Sequence, residues 1–172
     1  MISKTMQNAL NDQINAELWS AYLYLSMSMD AEAKALRGIA HWFFVQWLEE
    51  QDHARILQNY INAQGARVSL KPLQGVQQEW DGPLDMFRDT LRHEQQVTGM
   101  ITDLVRLALD ESDFATLSRL QWFVDEQIEE EEEATSHIID LNRADDDAVA
   151  LKMFDNAMGE RHYKRPAPLS DK

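Results

Sequence analysis

The sequence predicts an all-α fold: four long helices in a bundle, a long crossover between the second and third, and a short fifth helix towards the C-terminus. Three observations lead there. Gly and Pro are scarce, six and four in 172 residues, and the Val/Ile/Thr-rich alternating segments that announce strands are missing. Apolar residues recur at spacings of three and four through most of the chain. One stretch, 65–82, loses that periodicity for long enough to span a helix.

The first two helices occupy about 5–33 and 36–64, and the second closes at "NAQG", where Gly65 is a natural left-handed stop. Nearly sixty residues exceed ordinary helix lengths, so a turn is expected between Asp30 and Gly38, the local weak point. The segment "GARVSLKPLQGVQQEWDG" follows as the connection. A third helix opens at Pro83, whose locked φ suits the first helical position, and runs to about 111. Asp113 is a plausible N-cap for a fourth over about 113–142. The acidic break "RADDD" precedes a fifth helix over about 146–159, and 160–172 reads as a polar, frayed tail. Each long helix spans roughly 42 Å at 1.5 Å per residue. An extended connection of about eighteen residues at up to about 3.3 Å each covers that length. The chain therefore reads as one domain, with an antiparallel helix pair on each side of a crossover.

Composition narrows the partners. A net charge of −14 repels phosphate backbones and anionic lipid and attracts cations, so neither nucleic acid nor membrane is expected as a partner. No stretch approaches the roughly 18 apolar residues of a membrane span, and "MISKTMQNALNDQ" has no signal-peptide core. A soluble, untargeted, cytoplasmic protein is expected. The absence of Cys excludes disulfides and thiolate metal sites.

The four apolar stripes share a peculiarity: acid or amide interrupts each one near its middle. They read Leu10, Ile14, Glu17, Ala21, Tyr24; then Phe43, Trp47, Glu50, Ala54, Leu57, Ile61, with His53 one turn from Glu50. The third is Phe87, Leu91, Glu94, Thr98, Ile101, Val105, and the fourth Leu120, Phe123, Gln127, Glu130, Ala134, Leu141. A single Glu on such a stripe is ordinarily an edge residue whose head reaches water. Four at matching depth in an antiparallel bundle are different, because unpaired buried carboxylates repel and no Lys or Arg lies on the stripes to neutralise them. A multivalent cation would. The pair Glu50-x-x-His53 places carboxylate and imidazole one turn apart on one face. Oxygen-rich ligation with one His suits Fe or Mn and tolerates Zn. The run "DEQIEEEEE" (125–133) then divides into inward residues and solvated ones, Glu132 and Glu133 among the latter.

Four segments, "LNDQINAELWSAYLYL", "WLEEQDHA", "LRHEQQVTGMI" and "LQWFVDEQIEEEEEA", resemble the ferritins, in particular the haem-free bacterial type, over nearly the whole chain. The resemblance implies an iron store with ferroxidase activity, in which Fe(II) is oxidised by dioxygen or peroxide at a di-iron centre. Glu17, Glu50 and His53 would bind the first iron, and Glu50 would bridge to a second held by Glu94 and Glu130. Gln127 would line the pocket as a hydrogen-bonding group. A third iron beside the pair would involve Glu49, Glu126, Glu129 and Glu130. Tyr24 matches the family tyrosine beside the metals, a candidate electron donor whose alternative is a core Tyr with a satisfied hydroxyl. Trp122 is better read as packing.

The departures sort the subfamilies. Gln127 and Glu130 stand where bacterioferritins carry a second E-x-x-H, and Gln51 where the haem-ligating Met is expected, so no haem is implied. Met27 and Met29 read as core or interface fillers. Leu117 and Leu120 occupy positions that line an acidic iron channel in animal ferritins. Val149, Leu151, Met153, Phe154 and Met158 make the fifth helix too apolar to lie free. In the family this element lines a channel of a hollow 24-subunit homo-oligomeric shell; the alternative is a lid on the subunit's own bundle. Outward acids such as Asp52 are candidates for mineral nucleation.

Overall fold

A computed structural model describes residues 1–145 and 147–170. Four long helices, α1 (Lys4–Ala33), α2 (Arg37–Ala63), α3 (Pro83–Asp110) and α4 (Phe114–Ala144), are followed by the short α5 (Ala148–Met158) and a single turn, α6 (Ala167–Ser170). Position 146 of the expected fifth helix and positions 171 and 172 of the expected tail lie outside the described residues. α1 packs chiefly on α2 and α3 on α4, the two antiparallel pairs of the bundle.

Local chemistry starts and stops these helices. Ser3 accepts from the Met6 amide at α1, Asp113 from the Thr116 amide at α4, and Asp147 from the Val149 and Ala150 amides at α5. Pro83 opens α3. The α1–α2 turn falls at 34–36, where Ala35 takes a positive φ of 59°. Gly38 lies inside the first turn of α2, and its missing side chain serves a different purpose from breaking the helix. A Cβ there would sit 1.5 Å from the Asp155 backbone oxygen, so glycine lets α5 approach α2.

The connection 64–82 is a crossover along α1. Asn11 and Asn15 accept from the Ser69 and Lys71 amides, both at 2.7 Å. Further along, Ser26 donates to the Gln77 carbonyl at 2.6 Å and Asp30 accepts from the Trp80 amide at 3.1 Å. Four side chains of one helix thus satisfy the backbone of a segment that has no ladder of its own.

The core is divided in two. Met6, Leu10, Ile14, Leu57, Ile61 and Leu120 belong to one apolar cluster. Tyr24, Met27, Trp42, Phe43, Phe87 and Leu141 belong to the other. Between them in sequence, on each long helix, comes a buried carboxylate: Glu17, Glu50, Glu94 and Glu130. Met27 fills the core as expected, whereas Met29 is exposed. On α3 the buried face is Phe87, Thr90, Glu94, Val97, Ile101 and Leu104; Leu91, Thr98 and Val105 of the expected stripe are only half-buried.

The residues after Met158 do not fray as expected. Through Ser170 they lie as a strap against the bundle. His41 bonds the Arg161 carbonyl at 2.8 Å, the Tyr163 hydroxyl donates to Asp52, and Leu169 is buried in the first apolar cluster. A segment with one apolar anchor carries no periodicity, so its docking is invisible to pattern analysis. The same contacts leave Asp52 buried and bonded, not an outward acid.

Candidate metal centre

The acids arrive in one layer because each sits mid-helix on a face that must turn inward. Glu17, Glu50 and Glu94 are at most 2% exposed and Glu130 6%. Glutamine amides orient all four. Gln13 donates to Glu17 Oε1 at 2.8 Å, Gln46 to Glu130 Oε2 at 2.7 Å and to Glu50 Oε1 at 3.5 Å, and Gln127 to Glu94 Oε2 at 3.0 Å. Tyr24, fully buried, donates its hydroxyl to Glu94 Oε1.

His53 is the hinge of the site. Its Nδ1 lies 3.4 Å from Glu50 Oε2, and its Nε2 lies 4.0 Å from Glu126 Oε1. Nε2 is buried without a hydrogen-bond partner. Two sets of potential ligand atoms meet around it, Glu17–Glu50–His53 and His53–Glu126–Glu130, each with all atoms within 4.8 Å of one another. Glu94 is in neither set; its carboxylate is taken by Tyr24 and Gln127. Yet among neighbouring acids it exerts the largest repulsion on both Glu50 and Glu130, which places it against the pair.

The electrostatics follow from burial. Desolvation, then repulsion by Glu50, raises the Glu17 pKa to about 8. Glu50 and Glu130 are pushed well above the carboxylate range, first by desolvation and then by Glu94. Without a cation, burial favours the protonated forms of Glu17, Glu50 and Glu130. The donor set, hard oxygens with one imidazole and no thiolate, fits iron, and the orphaned Nε2 is an atom that lacks an acceptor or a metal.

Not every expected residue joins the pocket. Glu126 does, through His53. Glu129 is exposed and belongs to neither set, and Glu49 is bound by Arg161 at 2.5 Å. Gln51 donates to the Trp47 carbonyl at 2.9 Å. Trp122 packs edge-on to His53 and Phe123, walling the pocket.

A sequence model of the ferritin-like domain matches residues 7–144. The chain belongs to the ferritin family. This ferritin is 36% identical over 163 residues to the bacterial non-heme ferritin of Staphylococcus aureus, covering 95% of this chain and 98% of that one. The Staphylococcus haemolyticus protein of the same name is 35% identical over the same length. Among solved structures, it resembles an open pore ferritin from the hyperthermophilic archaeon Archaeoglobus fulgidus, at TM-score 0.93 and 42% identity, covering 94% of this chain and 100% of that one.

Three contributors to this ferritin's site are absent from the sequence reading: Gln13, Gln46 and Arg161. Two had a signal. Gln13 and Gln46 each lie four residues before an inward Glu, so extending the stripe by one turn finds them. Arg161 had none, since it reaches the site only through the fold. His137 continues the α4 stripe between Ala134 and Leu141, and is enclosed by Trp42, Phe87 and Phe154.

Proposed function

We propose that this ferritin stores iron by oxidising it: each subunit takes two Fe(II) ions into the α1–α4 pocket and releases Fe(III) to a mineral held in a 24-subunit shell, in the cytoplasm. The observation that carries this reading is the layer of four buried carboxylates around a His53 nitrogen with no partner. Glu17, Glu50 and His53 hold one ion. Glu50, a member of that set on which Glu94 acts most strongly among the neighbouring acids, bridges to a second ion held by Glu94 and Glu130. The glutamines keep the carboxylates aimed, and the apolar clusters above and below exclude water, which strengthens the binding of a cation.

The reaction balances as two one-electron oxidations. Two Fe(II) give two electrons to dioxygen, which takes two protons and leaves as hydrogen peroxide; with peroxide as acceptor, the same electrons and two protons give two waters. The protons displaced from Glu17, Glu50 and Glu130 on metal binding are close at hand. Tyr24 donates its hydroxyl to Glu94 inside the pocket and helps to hold that carboxylate in position. Fe(III) is favoured in the product because a higher charge is better matched to four carboxylates. Among the described residues, no helix is long and apolar enough to cross a membrane.

Aerobic addition of Fe(II), followed by absorbance of the ferric product, tests this. Rapid oxidation is expected from the wild type and from Glu132→Ala, whose side chain is exposed, with most of the rate lost in Glu50→Ala. Equal rates in both variants would contradict the assignment. A native mass near 24 times 19.9 kDa is expected for the shell.

A further inference from the structure

The C-terminal strap delivers a positive charge to the rim of the pocket. Arg161 donates from Nη1 to Gln46 Oε1 at 2.8 Å and from Nη2 to Glu49 Oε2 at 2.5 Å. Its Nη2 also lies 3.7 Å from Glu133 Oε2, and its guanidinium stacks 4.4 Å from the centre of the Trp42 ring. The side chain is only 17% exposed. It therefore joins α2, through Gln46 and Glu49, to α4, through Glu133, with both ends of its fork and one face engaged. The strap is anchored beyond it by Tyr163 on Asp52 and by the buried Leu169.

This position coincides with the place where the family resemblance puts a third iron, whose expected ligands are Glu49, Glu126, Glu129 and Glu130. The residues do not fit that ion here. Glu49 is committed to Arg161, Glu129 is exposed and joins no set, and Glu130 accepts from Gln46, whose own carbonyl oxygen accepts from Arg161. A guanidinium needs no metal to neutralise the Glu49 carboxylate, and a divalent ion brought there would meet a like charge that it cannot displace without undocking the strap. The electrostatic influence of Arg161 reaches Glu126 and Glu130 as well, opposing the effect of burial on both.

We propose that Arg161 stands in for the third cation at the α2–α4 rim, so that each subunit holds two iron ions and excludes a third. The proposal rests on the two-iron reading of the pocket itself, and treats Arg161 as a residue that sets metal stoichiometry by occupying a site, not as one that touches the reacting ions.

Anaerobic calorimetric titration with Fe(II), repeated with redox-inert Zn(II), reads the stoichiometry without any oxidation. Two ions per subunit are expected for the wild type and three for Arg161→Gln, which removes the charge but can still bond Gln46 and Glu49. Three ions in the wild type would overturn the proposal, even if the variant failed to fold. So would two in both. Fewer than two in the wild type would instead bring down the two-iron reading, and this proposal with it.

Discussion

Asp155, on α5, caps α2 from across the chain: its Oδ1 accepts from the Gly38 amide at 2.8 Å and from the Ile39 amide at 3.1 Å. α2 has no cap of its own, because Leu36 at its N-cap position offers no side-chain acceptor. The carboxylate meets two orphan amides and the positive end of the helix dipole, and Gly38 makes the approach possible.

Gly38→Ala should therefore be among the most damaging single-methyl changes in the molecule. Its Cβ meets backbone, which does not swing aside, so α5 must move and the Asp155 cap weakens. A loss of about 2–4 kcal/mol is expected by denaturant unfolding, against about 1–2 kcal/mol for Asp155→Ala. A Gly38→Ala protein as stable as wild type would show that α5 is not seated there.

Protons should leave as metal enters. Glu17 titrates near 8, and Glu50 and Glu130 are also raised, so the folded, metal-free pocket binds protons that the unfolded chain releases near 4.5. The stabilising effect of that protonation is fully present below about 4.5 and is lost as pH rises towards 8. Metal binding runs the other way and tightens with pH over the same window. Zn(II) titration in weak buffer at pH 7 should acidify the solution; no proton release would show the carboxylates to be already ionised.

Acid should attack the other end of the core. Burial foremost, with Arg161 adding to it, lowers the His137 pKa from 6.5 to about 4, which keeps the ring neutral among its aromatic neighbours. A group with a depressed folded pKa contributes stability above the unfolded value of 6.5, and that contribution disappears as pH falls towards 4. His137→Phe should flatten this part of the stability profile by on the order of 1–3 kcal/mol between pH 6.5 and 4. An unchanged profile in urea unfolding would place the acid-sensitive group elsewhere.

Much of this was legible in the sequence because the informative residues interrupt a periodic pattern. Glu17, Glu50 and Glu130 were readable as inward-facing since their apolar neighbours at three and four fixed each face. On α3 the reading slipped by one position at Leu91, Thr98 and Val105, where Thr90, Val97 and Leu104 are buried instead. Apolar or β-branched residues stand side by side at those places, so spacing alone does not choose between two faces about 100° apart; Glu94 and Ile101 belong to both readings. The glutamines that orient the acids were readable in principle. The strap was not, because the contacts of Arg161 and Tyr163 join residues more than a hundred positions apart. A charged residue in a polar tail looks the same whether it meets Glu49 or water.

The most direct test is an anomalous-diffraction map from crystals soaked anaerobically in Fe(II). Two iron peaks are predicted inside each subunit, one against Glu17, Glu50 and His53 and one against Glu50, Glu94 and Glu130. Iron bound only on the outer surface, with that interior empty, would contradict the account.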